Sequence, residues 1–441
     1  MRDHKPFSRR LRTTRMDVNT VADLPPDRRH ALFKRDAGID AIETDVEDII
    51  ERVREEGDAA LRAYAEEFDD TTVGTIDVTD AAERAHEDID ADLREAIETA
   101  AENIEAFHER QLPDDWRESF DGRELGRRYR PTERVGAYVP GGGAAYPSSA
   151  LMTVIPAKVA GVEQVAVATP PADDLSTATL AALHVAGADE IHQVGGAQAI
   201  AALAYGTETV SRVQKIVGPG NRWVTAAKAA VRNDCAIDFL AGPSEICVLA
   251  DDSANPEFVA ADLLAQAEHD SAASVVAITD DETLADDVVA AIDRQIDDRE
   301  RADVIREALG NDASGVFVAR SMPEAVLFCE EYAAEHLSIQ AEDDEALLDR
   351  ISSAGSVFLG PHSPVAAGDY AAGPNHVLPT GGEARTTGGL SVETFLRSTT
   401  VQRLPADALD ALGETVTTLA EAEGLEAHAE SVRVRERTSR D

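Results

Sequence analysis

The chain has few cysteines and no long apolar segment. Its three cysteines, Cys235, Cys247 and Cys329, are too few and too scattered for a disulfide framework or a cysteine zinc cluster. No uninterrupted apolar run approaches the roughly 20 residues that a membrane-spanning helix needs. These absences argue against a disulfide-stapled secreted domain and an integral membrane protein. We therefore expect a globular protein of the cytoplasm.

Lysine is nearly absent, and positive charge of any kind is scarce. The sequence holds 41 basic and 84 acidic residues, which gives a formal net charge of −43. The lysines are Lys5, Lys34, Lys158, Lys215 and Lys228. Such a charge repels nucleic acid and anionic membranes, so we expect neither as a partner. High solubility alone is one interpretation; we favour adaptation to a salt-rich cytoplasm, where salt screens the repulsion between carboxylates.

The first 15 residues run against this acidic trend. Residues 1–15, MRDHKPFSRRLRTTR, are basic and lack the apolar core of a signal peptide. We interpret them as a disordered extension or as a misassigned start upstream of Met16. The remaining chain is longer than a single hydrophobic core usually supports, so two or more domains are expected.

Two textures alternate along the chain. An acidic helical region comes first, and residues 45–69 place Val46, Ile49, Ile50, Val53 and Leu61 on one helical face. From residue 135 onward, short β-rich runs alternate with Ala-rich helices, which predicts parallel α/β layers. The runs SVVAITD, GVFVAR and GSVFLG repeat this texture between 274 and 360, so we expect two α/β units, the second split around the first. Residues 405–437 return to helix, with an apolar stripe of Leu409, Leu412, Val416 and Leu419.

Three glycine clusters mark the middle unit. They are YVPGGGAAYPSS (138–149), VGGAQA (194–199) and VGPGNRW (217–223), each placed where a strand gives way to a loop or helix. Glycine permits close backbone approach, and helix amides can receive phosphate oxygens. None of the clusters is the G-x-G-x-x-G dinucleotide fingerprint, and each alone is more often a plain turn. Three in one α/β unit raise nucleotide binding to a serious hypothesis.

Several histidines lie beside carboxylate or amide side chains. Gln266 and His269 are three residues apart in a predicted helix, so their polar groups can converge. The other groupings are Glu335 with His336, Asp369 with His376, and Glu423 with His428. Such O and N donors suit zinc or manganese better than copper. Each grouping alone is more often a solvated surface or a turn, and no spacing rule joins them, so composition leaves a metal site open.

Longer motifs carry a resemblance to one family. The segments GAYVPGGGAAYPSSALMTVIPAKVAGV, VGGAQAIAALAYGTETV, KIVGPGNRWVTAAK, AGPSEI, DLLAQAEHD, EHL, GSVFLG, SPVAAGDYAAGPNHVLPT and LSVETFLR resemble histidinol dehydrogenase in that order. The resemblance covers about residues 20 to 435. Gly143 departs from it, since the family often has Arg there.

The resemblance implies a fold and its boundaries. The family has two incomplete Rossmann-like α/β domains, one inserted in the other, with helical N- and C-terminal segments that form an intertwined dimer. On this chain the implied parts are an N-terminal helical segment (16–34), a discontinuous main α/β domain (35–137 and 245–390), an NAD-binding α/β domain (138–244) and a C-terminal helical dimerisation tail (391–441).

The resemblance also implies a site. One zinc ion per subunit would be held by Gln266, His269, Asp369 and His428, the last from the partner subunit of a homodimer. Those four residues, together with Ser244, His336, His376 and Glu423, would surround the substrate L-histidinol. NAD would contact Tyr138, Gln198 and Asn221.

The implied activity is the four-electron oxidation of L-histidinol to L-histidine through L-histidinaldehyde with two NAD, the last step of histidine biosynthesis. His336 would accept the hydroxyl proton, for which a neutral imidazole at about pH 7 to 9 is suited. Glu335 would activate water. A second hypothesis is a related zinc- and NAD-dependent dehydrogenase of another small alcohol. The presence of His376 and Glu423 argues against it, because both match positions used for histidinol. A third hypothesis is a non-catalytic zinc- or histidine-binding protein, and the presence of the catalytic pair Glu335 and His336 argues against it.

Overall fold

The structure is a computed structural model that describes residues 16–35, 37–141 and 145–438, so the basic extension over 1–15 lies outside the described residues. The elements of the first part are β1 (Val18–Thr20), α1 (Pro26–Phe33), α2 (Glu43–Glu56), α3 (Asp58–Phe68), α4 (Thr79–Asp88), α5 (Ala91–Glu109), β2 (Trp116–Phe120), β3 (Arg123–Pro131) and β4 (Arg134–Tyr138).

The middle part continues with α6 (Pro147–Val159), β5 (Gln164–Thr169), α7 (Thr177–Ala186), β6 (Glu190–Gln193), α8 (Gly196–Tyr205), β7 (Lys215–Val217), α9 (Arg222–Val231) and β8 (Ala236–Ile237). The last part comprises β9 (Glu245–Ala250), α10 (Pro256–Ala267), β10 (Ser274–Thr279), α11 (Glu282–Gln295), α12 (Ala302–Leu309), β11 (Gly315–Val318), α13 (Met322–Tyr332), β12 (His336–Gln340), α14 (Asp344–Leu348), β13 (Ser356–Leu359), α15 (Val365–Tyr370), β14 (Leu396–Arg403), α16 (Ala406–Ala422) and α17 (Glu426–Thr438).

Two parallel sheets form the centres of two α/β units. The five-stranded sheet has the order β6-β5-β4-β7-β8, and the six-stranded sheet has the order β1-β11-β10-β9-β12-β13. Apart from the edge strand β1, both follow the same winding, in which the third, second, first, fourth and fifth strands along the chain lie side by side. This is the Rossmann strand order without its sixth strand, and the switch point lies between the first and fourth strands. The prediction of two Rossmann-like units, one inserted in the other, is confirmed.

The central strands of these parallel sheets are buried on both faces. β9 and β10 are buried over their whole length, and their sequences, EICVLA and SVVAIT, are nearly continuous apolar runs. Such runs are typical of strands covered by helices on both sides, whereas a half-exposed strand alternates. The helices that cover the six-stranded sheet include α10 and α11, whose apolar residues join the same core as β9 and β10.

The helices of 43–109 pack against the five-stranded sheet, although the resemblance implied that they belong with residues 245–390. The apolar faces of α2 and α3 share a core with β7 and α8, while α4 and α5 share one with β5, α6 and α7. Packing therefore groups this segment with the five-stranded sheet, not with 245–390. The sequence pattern showed amphipathic helices but not which sheet each apolar face would cover.

The terminal segments also contain strands that were not predicted. β1 pairs in parallel with β11 at the edge of the six-stranded sheet, inside the segment expected to be helical. At the other end, β14 pairs antiparallel with β3, in a small sheet of order β14-β3-β2, before α16 and α17 begin. The expected C-terminal tail is therefore a strand followed by two helices.

Glycine breaks two predicted helices. The stretch 45–69 is split into α2 and α3 at Gly57, whose φ of 56° is readily adopted only by glycine. The tail is split between α16 and α17 near Gly424. None of the helices in the described ranges has both the length and the apolar content of a membrane span.

Candidate active site

Glu335 and His336 lie at the amino end of β12, buried inside the protein. Helix α13 ends at Tyr332, Ala333 takes a left-handed conformation, and His336 is the first residue of the strand. The exposed fractions are 6% for Glu335 and 4% for His336. Buried ionisable side chains need partners, so their contacts indicate what the site can do.

The main chain of Glu245, at the amino end of the adjacent strand β9, contacts both residues. Its N–H donates to Oε2 of Glu335 at 2.7 Å. Its carbonyl oxygen lies 3.1 Å from Nδ1 of His336. Because a carbonyl can only accept, Nδ1 carries the hydrogen, and Nε2 of His336 faces away from the strand.

Asp369 lies where Nε2 of His336 points. Its Oδ1 is 3.4 Å from that nitrogen, which has no hydrogen-bond partner among the described residues. Oε2 of Glu335 lies 3.6 Å from the other ring nitrogen, Nδ1. The imidazole is therefore placed between two carboxylates. Asp369 lies near the end of the short helix α15.

This placement sets the protonation of His336. Burial alone would lower its pKa, but the charges and contacts of Glu335 and Asp369 outweigh burial and raise the pKa to about 10. The expected neutral imidazole at about pH 7 to 9 is therefore not what the protein alone produces. Our expectation omitted the second carboxylate, because Asp369 is distant in sequence.

His376 joins the two α/β units. Its Nδ1 lies 2.8 Å from the carbonyl oxygen of Asp369, and its Nε2 lies 3.3 Å from Oγ of Ser149 on α6. Burial lowers the pKa of His376, which favours a neutral ring. Next to it, the side-chain amide of Asn375 donates to the carbonyl of Met152 at 2.7 Å. The segment after α15 therefore connects this site to the five-stranded unit.

Gln266 and His269 approach the same place from α10. The helix ends at Ala267, so His269 lies just beyond it, with its N–H donating to the carbonyl of Gln266 at 3.2 Å. The prediction that both residues lie within the helix holds for Gln266 but was wrong for His269, which lies two residues past the helix end. Gln266 is buried and His269 is exposed. The charge of His269 acts on Asp369, and α10 contacts α15, so these residues lie around one region.

Glu423 and His428 do not join this group within one chain. Glu423 caps the end of α16, His428 lies in α17, and both are exposed. Within the described ranges, no cluster of three or more His, Cys, Asp or Glu side chains is arranged to hold a metal ion. The amide, imidazole and carboxylate of Gln266, His269 and Asp369 are donors that zinc accepts, but a closed four-ligand site needs one more.

The residues expected to contact NAD lie at the carboxyl edge of the five-stranded sheet. Tyr138 ends β4, Gln198 lies in the first turn of α8, and Asn221 caps α9. The N–H of Gly196 donates to the Tyr138 hydroxyl at 3.1 Å, and burial raises the pKa of Tyr138 to about 12. In open α/β sheets, ligands bind outside the carboxyl ends of the strands at the switch point, here between β4 and β7.

The glycine loop after β7 approaches β4 closely. Gly218 has a φ of 107°, and a Cβ atom there would lie 2.2 Å from the carbonyl oxygen of Tyr138. Asp238 fixes the position of this loop. Its Oδ2 accepts the N–H of Gly218 at 2.8 Å, and its other carboxylate oxygen pairs with Lys228. This close approach explains why the loop contains glycine without the dinucleotide fingerprint.

Three residues close to the site escaped the sequence interpretation. They are Arg35, Ser149 and Glu245. A signal for Glu245 existed, because a charged residue that opens the apolar strand EICVLA must be buried and therefore paired. Ser244, the expected substrate contact, directly precedes it and is half-buried.

Comparison with known proteins agrees with this architecture. A family model described as histidinol dehydrogenase matches residues 33–436. The histidinol dehydrogenase of Haloarcula marismortui is 73% identical over 420 residues, covering 95% of this chain and 100% of that protein. The enzyme of Halobacterium salinarum is 71% identical over 421 residues, covering 95% and 99%. The crystal structure of histidinol dehydrogenase from Elizabethkingia anophelis superposes with a TM-score of 0.90 at 38% identity and covers 97% of this chain and 99% of that one. The chain therefore belongs to the histidinol dehydrogenase family of oxidoreductases.

Proposed function

We propose that this protein oxidises L-histidinol to L-histidine through L-histidinaldehyde, using two NAD, as the last step of histidine biosynthesis. The observation that carries the proposal is the buried His336, whose Nδ1 lies 3.1 Å from a main-chain carbonyl while its Nε2 faces Asp369. A histidine with one ring nitrogen fixed and the other free is arranged for proton transfer.

His336 acts in both oxidations. Its Nε2 accepts the hydroxyl proton of the alcohol as the carbinol carbon loses a hydride, which forms the aldehyde. As water adds to the aldehyde, His336 returns that proton to the aldehyde oxygen. It then accepts a proton from the hydrated aldehyde during the second hydride loss, which forms the acid that ionises to the carboxylate. NAD would accept the hydride each time. Binding of Asp369 to a divalent cation would offset one of the two carboxylates that raise the His336 pKa, and so favour the neutral ring.

Glu335 serves the water step between the two oxidations. Its Oε2 accepts the Glu245 N–H, which leaves the other carboxylate oxygen free to take a proton from water that attacks the aldehyde carbon. Glu335 lies on the Nδ1 side of the His336 ring, whereas Nε2 points the other way, toward Asp369. This gives each residue a separate task.

The metal would be zinc, held by Gln266, His269 and Asp369 with His428 of the partner subunit. These donors fit because they are one amide oxygen, one carboxylate and two imidazoles. Zinc bound there would orient the imidazole and amino nitrogens of histidinol and withdraw electron density from the reacting carbon. Ser244, which precedes Glu245, and His376, whose Nδ1 lies 2.8 Å from the carbonyl oxygen of Asp369, would contact the substrate.

A homodimer would complete the site. The tail carries exposed large apolar side chains, namely Val416, Leu419, Leu425 and Val434. Leu419, in the stripe expected to be apolar, is 60% exposed in the single chain. Burying these side chains against a second chain would bring Glu423 and His428 to its site. A two-fold dimer then contains two shared sites.

NAD would bind at the switch point of the five-stranded sheet, where Tyr138, Gln198 and Asn221 lie. The amino end of α8, which begins without a side-chain cap, faces this edge, and its helix amides can receive phosphate oxygens.

The test is stoichiometry with purified protein. We expect about two NADH per L-histidinol consumed and L-histidine as the product, since the reaction removes four electrons. About one NADH with accumulating aldehyde would show that the second oxidation is absent. If the protein forms NADH from another small alcohol but not from histidinol, the proposed substrate is wrong.

A further inference from the structure

We propose that Arg35 is a positioning residue for both catalytic side chains and that it acts through Glu245. The inference rests on the proposed roles of Glu335 and His336. Neither Arg35 nor Glu245 faces the substrate in this proposal. Their task is to hold the segment of main chain to which the catalytic residues bond.

The side chain of Arg35 is fully engaged. Its Nε and Nη2 donate to the two carboxylate oxygens of Glu245 at 2.6 and 3.0 Å, a bidentate pair. Nη1 donates to the carbonyl of Leu32 at 2.6 Å, and Nη2 donates to that of Tyr332 at 2.7 Å. The guanidinium also stacks on the Tyr332 ring, with Cζ 3.7 Å from the centroid. These contacts leave the guanidinium little freedom to move.

The carboxylate of Glu245 is held on a third side as well. Oε1 accepts the N–H of Gly381 at 2.8 Å, from the segment that follows His376. The exposed fractions of the two side chains are 6% for Arg35 and 2% for Glu245. A buried pair of this kind is stable only while each charge keeps its partner.

The main chain of Glu245 contacts both catalytic side chains. Its N–H holds the Glu335 carboxylate at 2.7 Å and its carbonyl oxygen contacts Nδ1 of His336 at 3.1 Å. One residue therefore connects a rigid side-chain anchor to both catalytic groups. A movement of the residue 245 peptide would displace Glu335 and His336 together.

This arrangement makes a specific demand on Arg35. A lysine keeps the positive charge but offers one ammonium group in place of the planar fork. It cannot bond both Glu245 oxygens and both carbonyls in the same geometry. The resulting shift of the residue 245 peptide would impair proton transfer more than it impairs the substrate contact of His376.

The experiment compares Arg35→Lys with Arg28→Lys. Arg28 lies in the same N-terminal segment, and its Nη2 donates to the carbonyl of Ser314 at 2.7 Å, away from the catalytic residues. We expect Arg35→Lys to lower kcat about tenfold or more for both histidinol and histidinaldehyde, with KM for each changed by less than about twofold. We expect Arg28→Lys to keep wild-type kcat at a similar Tm.

Glu245→Gln keeps the shape of the side chain and an acceptor for the Gly381 N–H, but it removes the charge that Arg35 pairs with. It should reproduce the kcat loss in both half-reactions and provides the test if Arg35→Lys does not fold. The proposal is overturned if either variant folds and keeps wild-type kcat, or if kcat falls for one half-reaction only. It is also overturned if activity falls only in proportion to the folded fraction in both Arg variants. Absence of NADH from wild-type protein would instead refute the proposed function.

Discussion

Two aspartates at opposite ends of helix α3 should respond oppositely to the same substitution. Asp69 follows the last residue of the helix, where the helix dipole disfavours a negative charge, and its Oδ2 is buried without a hydrogen-bond partner. Burial raises the pKa of Asp69 to about 6. Asp58 begins the helix, and its carboxylate accepts the hydroxyls of Thr207 and Thr209 at 2.7 and 2.6 Å.

The pKa of Asp69 gives the magnitude. A carboxyl group whose pKa is higher in the folded than in the unfolded protein destabilises the folded state. This cost is fully present above the folded pKa, decreases between the two pKa values and disappears below the unfolded pKa. A rise from 3.8 to about 6, at about 1.36 kcal/mol per pH unit, corresponds to about 3 kcal/mol at pH 8. Because Asp69 is partly exposed, we expect Asp69→Asn to increase the free energy of unfolding by about 1 to 2 kcal/mol at pH 8. At pH 5 the gain should be about half as large.

The control is Asp58→Asn. Burial would raise the pKa of Asp58, but the hydrogen bonds from Thr209 and Thr207 outweigh it and hold the pKa below 3.8. Its stabilisation is therefore fully present at both pH 5 and pH 8, and the substitution should destabilise the protein equally at both.

The assay is urea unfolding followed by circular dichroism in molar KCl at one protein concentration, since assembly would shift the midpoint. Salt should not remove the Asp69 effect, because its cause is burial and not a distant charge. No gain for Asp69→Asn at pH 8, or the same gain at pH 5, would refute the reasoning.

Four further predictions concern the metal, the water step, the response to salt and the dimer. Dialysis against a chelator should abolish turnover, and zinc or manganese should restore it; full activity of metal-free protein would contradict the ligand assignment. Glu335→Gln should slow oxidation of histidinaldehyde far more than oxidation of histidinol, and an equal loss in single-turnover assays would contradict the division of tasks. With a formal charge of −43, the protein should lose stability in dilute buffer and recover it near molar KCl; a Tm indifferent to salt would exclude salt adaptation. Inactive His336→Ala and His428→Ala chains, refolded together, should regain roughly a quarter of wild-type activity if His428 acts in the partner's site, and no recovery in demonstrated heterodimers would place it in its own chain.

The periodic features of the sequence predicted most of the fold. Apolar runs such as SVVAIT became buried parallel strands, and each glycine cluster followed a strand as expected. Local patterns fix such elements because burial and turn conformation depend on neighbouring residues. The partner of an amphipathic helix depends on distant residues, which is why the sequence pattern did not show that the helices of 43–109 pack with the five-stranded sheet.

The site shows the same limit. The resemblance implied Glu335, His336 and Asp369 as site residues. In the structure, the carboxylates of Glu335 and Asp369 lie on either side of the His336 imidazole. The resemblance did not reveal Arg35 or Glu245, because their importance comes from the main chain of residue 245 and not from a side chain that meets the substrate. The raised pKa of His336 was missed for a related reason, since it depends on two carboxylates that the fold brings together.

The two Rossmann-like units share one winding but offer different carboxyl edges, and the sequence explains the difference. In the five-stranded sheet, glycines follow β6 and β7, at 195–196 and 218–220. In the six-stranded sheet the carboxyl edge carries aspartate pairs instead, Asp251 with Asp252 after β9 and Asp280 with Asp281 after β10. Asp281 caps α11, with Oδ1 accepting the N–H of Leu284 at 2.6 Å, so it occupies the helix amides that would otherwise meet a phosphate. Acidic side chains at this edge also repel a dinucleotide. The six-stranded unit instead places its chemistry at the amino edge, where β9 and β12 begin with Glu245 and His336. The loop residues thus distinguish a unit suited to the proposed cofactor from a unit that holds the proposed proton-transfer groups.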